Sequence, residues 1–187
     1  QIAFQKYLEG GNVFVSGPGG SGKSELIRHI YEDAITRYKN IQVTALTGCA
    51  AVLLNCRATT LHSWSGIGLG KGTIDNYVKK IRQRPYFKSA WMNTQILIVD
   101  EVSMMSSGLF EVLNEIGQEI RRSKKPFGGI QLIFLGDFFQ LPPVGDNEIP
   151  ETTQFCFESK EWNNIFSKQN HVILTKIFRQ KDADYCD

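Results

Sequence analysis

The sequence has few residues that could build a metal centre or a disulfide framework. Its four cysteines include no C-x-x-C pair, and its three histidines are far apart along the chain. We therefore expect buried, reduced thiols and no histidine-based metal site. The cysteines are Cys49, Cys56, Cys156 and Cys186.

Long apolar runs are also lacking. No run approaches the roughly 20 residues of a membrane span, and the start of the chain does not have the form of a signal peptide. Repeats and low-complexity segments are absent. We expect an intracellular, soluble protein with no membrane partner. Because the chain opens directly into amphipathic sequence, we also expect it to be a piece of a longer protein.

The bulk numbers describe one globular domain. The chain has 187 residues, of which 42% are hydrophobic and 21% are charged. Its formal charge of +2 neither requires nor excludes a nucleic-acid partner. The basic residues are concentrated in two stretches, which a solvated helix face explains as well as a nucleic-acid site does. The stretches contain Lys71, Lys79, Lys80, Arg82, Arg84 and Lys88, and then Arg121, Arg122, Lys124 and Lys125.

A glycine-rich stretch carries the most specific pattern. Residues 17–24 read GPGGSGKS and fit G-x-x-x-x-G-K-[ST], the phosphate loop of P-loop NTPases. Glycines let the backbone N–H groups turn toward phosphate oxygens, Lys23 reaches the β- and γ-phosphates, and the Ser24 hydroxyl is suited to Mg²⁺. The flanks predict a buried strand before the loop and a helix after it, as the motif requires. The nucleotide-binding residues expected here are Gly17, Gly19, Gly20, Ser21, Gly22, Lys23 and Ser24.

Alternating apolar runs and helical patterns predict an α/β domain with a parallel sheet flanked by helices on both faces. We expect strands at residues 13–16, 41–45, 95–99, 130–135 and 171–174, and a short strand at 155–157. We expect helices at residues 1–9, from the phosphate loop to about 38, at 48–54, at 106–122 and at 161–166. The longest has Leu109, Val112, Leu113, Ile116 and Ile120 facing inward. Ligands of such sheets bind at the carboxyl ends of the strands, where the motifs described here fall.

Two carboxylates end the apolar run at residues 96–99. Asp100 stands where a P-loop protein places an acid that positions Mg²⁺ together with Ser24. Glu101 can orient and deprotonate an attacking water, which favours ATP hydrolysis over phosphoryl transfer to a small molecule.

Later side chains could respond to the γ-phosphate. Gln140, in the loop after the run at 130–135, carries an amide that can bond a phosphate oxygen, and Pro142 and Pro143 stiffen that loop. Arg179 could stabilise charge during phosphoryl transfer. Either residue alone would be unremarkable on a protein surface.

Hydroxyls and a helix start follow the strand at 41–45. Thr47 and Gly48 open the next helix, and His62 and Ser63 follow nearby. Such groups are typical of sequence-independent contacts to nucleic-acid phosphates. Ordinary N-caps and turns explain them equally well.

Residues 57–93 form the irregular part of the predicted fold. Alternate glycines at 66–72 are followed by a basic helical stretch at 73–84, which Pro85 ends. We expect a small inserted subdomain at about residues 65–93.

Taken together, the motifs resemble the Pif-type (petite integration frequency) DNA helicases, the RecD-related branch of helicase superfamily one. The motifs are GPGGSGKS, TALTGCAA, TLHSWSGIGLG, ILIVDEVSMM, PFGGIQLIFLGDFFQLPPV and LTKIFRQ, and they span nearly the whole chain. The resemblance implies the first RecA-like motor lobe of an ATP-dependent helicase that moves five-prime to three-prime on single-stranded DNA and unwinds forked duplexes, with roles in replication, recombination, repair and telomere maintenance.

The resemblance also implies residue roles. Lys23 and Ser24 would bind phosphates and Mg²⁺, Asp100 and Glu101 would serve Mg²⁺ and water, and Gln140 would sense the γ-phosphate. Arg179 would act as an arginine finger, and DNA phosphates would lie on Thr47, Gly48, His62 and Ser63. Adenine would be read by Gln1, although its spacing is one residue short, or by Gln5. The stretch at 65–93 would be the wedge subdomain.

The family's later motifs, which belong to a second RecA-like lobe, are not in these 187 residues. We therefore expect a monomeric protein whose second lobe lies elsewhere in the same polypeptide, and little unwinding by this chain alone. The alternatives are a P-loop kinase, a nuclease-coupled ATPase, or a nucleotide-binding module without unwinding activity.

Overall fold

Parallel strands form the centre of the domain. The structure is a computed structural model that describes residues 2–68 and 72–177. Its strands are β1 (Val13–Ser16), β2 (Ile41–Ala45), β3 (Thr59–Thr60), β4 (Ile96–Asp100), β5 (Gln131–Gly136) and β6 (His171–Ile173). Over the described residues they form one sheet in the order β3-β2-β4-β5-β1-β6, and every pairing is parallel. This sheet confirms the predicted α/β class.

Helices cover both faces of the sheet. They are α1 (Ile2–Leu8), α2 (Lys23–Thr36), α3 (Gly48–Leu54), α4 (Leu61–Ser65), α5 (Ile74–Gln83), α6 (Pro85–Asn93), α7 (Ser107–Arg121), α8 (Pro150–Thr153) and α9 (Trp162–Ile165). The first three helices pack in one hydrophobic cluster, and α4–α7 and α9 pack in another. Within the described part of the chain, no helix has the length and apolar character needed to cross a membrane.

Strand β4 shows why the chain folds into a buried parallel sheet. All five of its residues are buried. Successive side chains point to opposite faces, so Leu97 and Val99 join one cluster while Ile96 and Ile98 join the other. A continuous apolar run therefore satisfies both faces at once.

The strand register brings the loops of the carboxyl edge together. Ala45, the last residue of β2, lies opposite Asp100, the last residue of β4. On the other side of the sheet, Ser16 of β1 lies opposite Gly136 of β5. The segments that leave these four strands therefore start at the same level.

The stretch at 57–93 is more regular than predicted. Its described residues include β3 and the helices α4, α5 and α6. Pro85 follows the end of α5, as expected, but also begins α6, because proline at the first helical position loses no intrahelical hydrogen bond. Trp64, Ile81 and Trp91 from this stretch share a hydrophobic cluster with α7. The division of residues 65–93 from the rest stays a prediction.

Smaller predictions need correction. Helix α2 ends at Thr36 rather than near residue 38, where the backbone turns left-handed. Phe155 forms only an isolated bridge with Ser106 in place of the expected strand. Cys49 is exposed, whereas Cys56 and Cys156 are buried as expected; the fourth cysteine lies outside the described residues. The buried face of α7 also differs from the predicted one. Phe110 is fully buried, whereas Leu109 and Val112, which were expected to face inward, are half-buried.

Candidate active site

The phosphate loop joins β1 to α2 and leaves the start of that helix open to an anion. Gly22 is the residue before the helix, and its φ of 93° is a left-handed conformation that glycine adopts without strain. Because it has no side chain, it offers no capping oxygen to the N–H groups of the first turn. These groups and the helix dipole therefore favour a negatively charged ligand at this position.

Close packing holds the beginning of the loop against the segment that follows β6. A Cβ atom on Gly17 would lie 2.8 Å from the carbonyl oxygen of Leu174 and 2.7 Å from the Ser21 hydroxyl. The Leu174 N–H in turn donates to the Ser16 carbonyl at 2.7 Å. The first glycine of the motif is thus required by packing, and this fixes where the loop leaves the sheet.

Lys23 lies inside the curve of the loop. Its ammonium group donates to the carbonyl oxygen of Gly17 and, at 2.9 Å, to that of Pro18. Burial lowers the pKa of Lys23, and the negative charges of Asp100 and Asp137 oppose that shift. The loop therefore presents a cation that is partly removed from water and lies near two carboxylates.

The two acids at the carboxyl end of β4 have different environments. Asp100 is 8% exposed, and burial raises the pKa of its carboxyl group. One of its oxygens accepts the Glu101 N–H at 2.9 Å, which leaves the other for a cation. Glu101 is half-buried, and its backbone is left-handed, with φ of 58°. Its carboxylate accepts a hydrogen bond from the Thr47 hydroxyl at 3.0 Å.

Asp137 is a site residue to which the sequence interpretation assigned no role. It follows β5 directly and contributes to the electrostatic environment of Lys23. Its carboxylate accepts from the Gln140 amide at 3.2 Å and from the Phe139 N–H at 3.1 Å. The sequence did contain a signal, because a carboxylate at the carboxyl end of an apolar run resembles Asp100 at the end of β4. Asp137 therefore connects the predicted γ-phosphate sensor, Gln140, to the electrostatics of the loop lysine.

The residues at this edge fit a magnesium nucleotide. The Ser21 hydroxyl is buried with no hydrogen-bond partner among the described residues, as expected of a group placed to serve a ligand. The described residues contain no cluster of three or more protein side chains that could hold a metal by themselves. Mg²⁺ at phosphate sites usually takes one or two protein ligands together with phosphate oxygens, and Ser24 and Asp100 could supply them.

The predicted adenine and finger residues are only partly described. Gln1 and Arg179 lie outside the described residues. Gln5 is exposed on α1, where its amide donates to Glu9 at 3.2 Å. The choice between Gln1 and Gln5 stays a prediction.

The residues predicted to contact DNA lie at the starts of α3 and α4, also at the carboxyl edge of the sheet. Thr47 is the N-cap of α3, with its hydroxyl accepting the Ala50 N–H at 3.2 Å, and Gly48 is exposed at the start of that helix. Ser63 bonds the N-cap Thr60 of α4 at 2.7 Å. His62 is half-buried, and burial lowers the pKa of its ring, so it is neutral near pH 7.

A groove continues from these helices into the basic stretch. It has a volume of about 530 Å³, and its lining combines cations, an aromatic ring and hydroxyl and imidazole groups. The lining residues are His62, Ser63, Gly66, Gly68, Lys80, Arg84 and Phe87. Cations beside a stacking surface suit the backbone and bases of a single strand.

Arg121 has a structural role. Its guanidinium donates to the carbonyls of Gly128 at 2.8 Å and Trp91 at 2.7 Å, which fastens α7 to α6 and to the loop before β5. Arg121 belongs to the second basic stretch, and these hydrogen bonds account for its positive charge without a nucleic-acid role.

Comparison with known proteins identifies close relatives of the chain. Residues 2–186 match the PIF1-like helicase family. The chain is 44% identical over 178 residues to the ATP-dependent DNA helicase RRM3 of Saccharomyces cerevisiae, covering 94% of this chain and 24% of the relative. It therefore spans about a quarter of the length of such relatives.

Solved structures give the same result. The Pif1 helicase of Candida albicans superposes with a TM-score of 0.86 at 42% identity, over 95% of this chain and 39% of that one. The Bacteroides Pif1 helicase in complex with ADP-AlF3 and single-stranded DNA has a TM-score of 0.73 at 32% identity, over 96% of this chain and 42% of that one. The expected RecA-like fold is confirmed by this likeness.

Proposed function

This chain belongs to the PIF1-like helicase family, and we propose that it is the first RecA-like motor lobe of an ATP-dependent DNA helicase. The observation that carries the proposal is that several predicted site residues meet at the carboxyl edge of the sheet. There Lys23 lies near Asp100 and Asp137, while Glu101 bonds Thr47, a predicted DNA contact. The proposed phosphate site and the proposed strand-binding site thus meet through side chains, which a device that couples ATP hydrolysis to motion on DNA requires.

The residues would divide the chemistry as follows. Lys23 and the N–H groups at the start of α2 hold phosphate oxygens, and Ser24 and Asp100 hold Mg²⁺. Bound Mg²⁺ supplies positive charge to the phosphates. Glu101 accepts a proton from the attacking water. Burial raises the pKa of Asp100, and a dication beside it would oppose that shift, so Asp100 would hold the metal as a carboxylate.

The γ-phosphate would be sensed by Gln140, which in this structure is tied to Asp137. Exchange of that bond for one to a phosphate oxygen would move the loop after β5. Arg179 is proposed as an arginine finger. The adenine reader is Gln1 or Gln5.

The nucleic-acid partner is proposed to be single-stranded DNA at a fork, with travel from five-prime to three-prime. Hydroxyls and N–H groups at the starts of α3 and α4, around Thr47, Gly48, His62 and Ser63, would contact phosphates. The groove with Lys80, Arg84 and Phe87 extends this surface toward the proposed wedge at residues 65–93. We propose that a second RecA-like lobe of the same polypeptide completes a monomeric motor.

The test is ATP hydrolysis by the full-length protein with and without single-stranded DNA. A helicase motor is stimulated by DNA, and Lys23→Ala abolishes hydrolysis because a phosphate-binding charge is lost. The matched control is Lys39→Ala, an exposed lysine at the opposite edge of the sheet, just before β2. ATP hydrolysis that single-stranded DNA does not stimulate would favour a kinase or an uncoupled ATPase. Normal turnover by Lys23→Ala would refute the assignment of the phosphate site.

DNA binding should also depend strongly on salt. Each phosphate neutralised on a single strand contributes roughly 0.7 to the slope of log K against log salt. Binding that barely changes between low and moderate salt would contradict the phosphate contacts proposed here.

A further inference from the structure

The hydroxyl of Thr47 is committed to two partners at once. It accepts the Ala50 N–H at 3.2 Å, which caps α3, and it donates to the carboxylate of Glu101 at 3.0 Å. The two bonded side chains are 54 residues apart in sequence. They meet because β2 and β4 are neighbours that end level with each other, at Ala45 and Asp100.

A threonine hydroxyl has only one proton to donate. A carboxylate and a phosphate are both acceptors without protons near neutral pH. The Thr47 proton can therefore serve Glu101 or a DNA phosphate, but not both. The capping bond is unaffected by this exchange, since there the hydroxyl is the acceptor.

The bond also directs Glu101 toward the strand-binding side. The carboxylates whose charges act on the Lys23 ammonium include Asp100 and Asp137, whereas the Glu101 carboxylate is bonded to Thr47. Its left-handed backbone, with φ of 58°, sets the side chain on a different course from that of Asp100. Loss of this bond would leave the Glu101 carboxylate free to change rotamer and accept from another donor, such as a water.

We propose that Thr47 is a positioning residue that restrains Glu101 until a phosphate of single-stranded DNA replaces Glu101 as the acceptor of the Thr47 hydrogen bond, which couples DNA binding to ATP hydrolysis. The proposal rests on the function proposed above. No covalent bond is broken in the exchange. The proton stays on the threonine oxygen, and only the acceptor of its hydrogen bond changes. Glu101 then becomes available as the base.

The first test measures ATP hydrolysis by full-length protein. Thr47→Val has nearly the same shape but no hydroxyl, so Glu101 is released without DNA. The DNA-free rate should rise roughly tenfold, the factor that corresponds to one hydrogen bond to a charged group, and the further stimulation by saturating DNA should shrink by a similar factor. Thr47→Ser keeps the hydroxyl and should restore the wild-type ratio of the two rates.

The matched control is Ser106→Ala. Ser106 caps α7 through the Leu109 N–H at 3.1 Å. This variant therefore loses a helix cap without losing any bond to Glu101. If Thr47→Val leaves the DNA-free rate at the wild-type level and loses only DNA affinity, so that saturating DNA restores the maximal rate, Thr47 is a DNA contact alone and the proposal is wrong.

The second test needs no hydrolysis. Coupling between sites is reciprocal, so removal of the competing acceptor should free the Thr47 proton for DNA. Without nucleotide, Glu101→Ala should tighten binding of an oligothymidine strand several-fold, measured by fluorescence anisotropy. Glu101→Ala also removes a negative charge, which by itself strengthens DNA binding. The same substitution is therefore made in the Thr47→Val background. There the gain in DNA affinity should fall to the electrostatic part alone.

The outcomes are distinguishable. Equal gains with threonine and valine at position 47, or no gain at all, would overturn the coupling while leaving the helicase proposal intact. Failure of the wild-type protein to bind the strand would instead overturn the proposed function, and the coupling with it.

Discussion

The Glu101 N–H donates to the Asp100 carboxylate at 2.9 Å, while the Glu101 carboxylate itself turns to Thr47. The two acids are adjacent in sequence, but their carboxylates have different hydrogen-bond partners. Asp100 is buried beside the cation of Lys23, and Glu101 lies between the phosphate site and the start of α3. This arrangement suits one acid for holding metal and the other for handling a proton.

Glu101→Gln should therefore separate nucleotide binding from turnover. The amide keeps the size of the side chain and can still accept from Thr47, but it cannot take a proton from water. We expect nucleotide affinity close to that of the wild type and a turnover rate lower by roughly 10²–10⁴-fold. The measurements are nucleotide binding by calorimetry and steady-state hydrolysis in the full-length protein.

Glu115→Gln is the control for this change, because Glu115 is exposed on α7. It should alter neither quantity. A loss of nucleotide affinity in Glu101→Gln as large as the loss of turnover would mean that Glu101 is a metal ligand or a structural group.

The phosphate loop and the strands were predictable because they depend on local sequence. A glycine-rich motif between an apolar run and a helical pattern identifies its own position, and β4 reads as a buried strand without further information. The bond between Thr47 and Glu101 was not predictable, because it depends on which strands are neighbours. Each residue was predicted to have a function, but nothing in the linear pattern brings them into contact.

Other misses have similar physical causes. Pro85 was interpreted as the end of a helix, yet a proline that ends one helix can begin the next. The sequence interpretation assigns no role to Asp137, because the position of its carboxylate beside Lys23 depends on the pairing of β5 with β1.

Two glycines of the phosphate loop should differ sharply in their tolerance of alanine. A methyl group at Gly17 meets the backbone of Leu174 at 2.8 Å, whereas one at Gly19 has no atom within 4 Å. Gly17→Ala should cost roughly 1–3 kcal/mol, as overpacking does, and Gly19→Ala should stay within about 0.5 kcal/mol. Thermal unfolding of the two variants beside the wild type measures the difference, and equal melting temperatures would show that the segment after β6 is not packed on the loop.

Asp100→Asn should make the fold more stable while stopping hydrolysis. Burial raises the pKa of Asp100 above its ordinary value of 3.8, so the folded protein prefers the neutral acid. The stability that this group contributes is complete below pH 3.8 and is lost as the pH rises through the raised value. Asparagine is neutral at every pH and can still accept the Glu101 N–H.

The melting temperature of Asp100→Asn should therefore exceed that of the wild type near pH 8, and the gap should narrow as the pH is lowered through the raised pKa of Asp100 toward 3.8. The mutant should hydrolyse little ATP, since an amide is a poor substitute for a carboxylate on Mg²⁺. A gap that widens on acidification would mean that the cation of Lys23 outweighs burial at this site.

Residues 1–187 alone should bind ATP or ADP with Mg²⁺ but hydrolyse ATP slowly and leave duplex DNA intact. The proposed phosphate loop, metal acid and base all lie within this lobe, and we expect them to suffice for binding. Translocation needs two lobes that close on nucleotide and open after hydrolysis. The loop after β5 exposes Phe139, Leu141 and Val144, apolar side chains that a second lobe would cover.

The missing contribution is charge brought to the phosphates when the two lobes close. The loss of an arginine from such a site lowers the rate by ~10³–10⁵-fold. The comparison is steady-state hydrolysis by residues 1–187 and by the full-length protein, each with saturating single-stranded DNA, with nucleotide binding measured on both. Similar affinities with a rate difference of that order are expected if the ground state contacts mainly one lobe and the transition state contacts two. Comparable rates would show that this lobe holds every group needed for hydrolysis, and the second lobe would then serve movement alone.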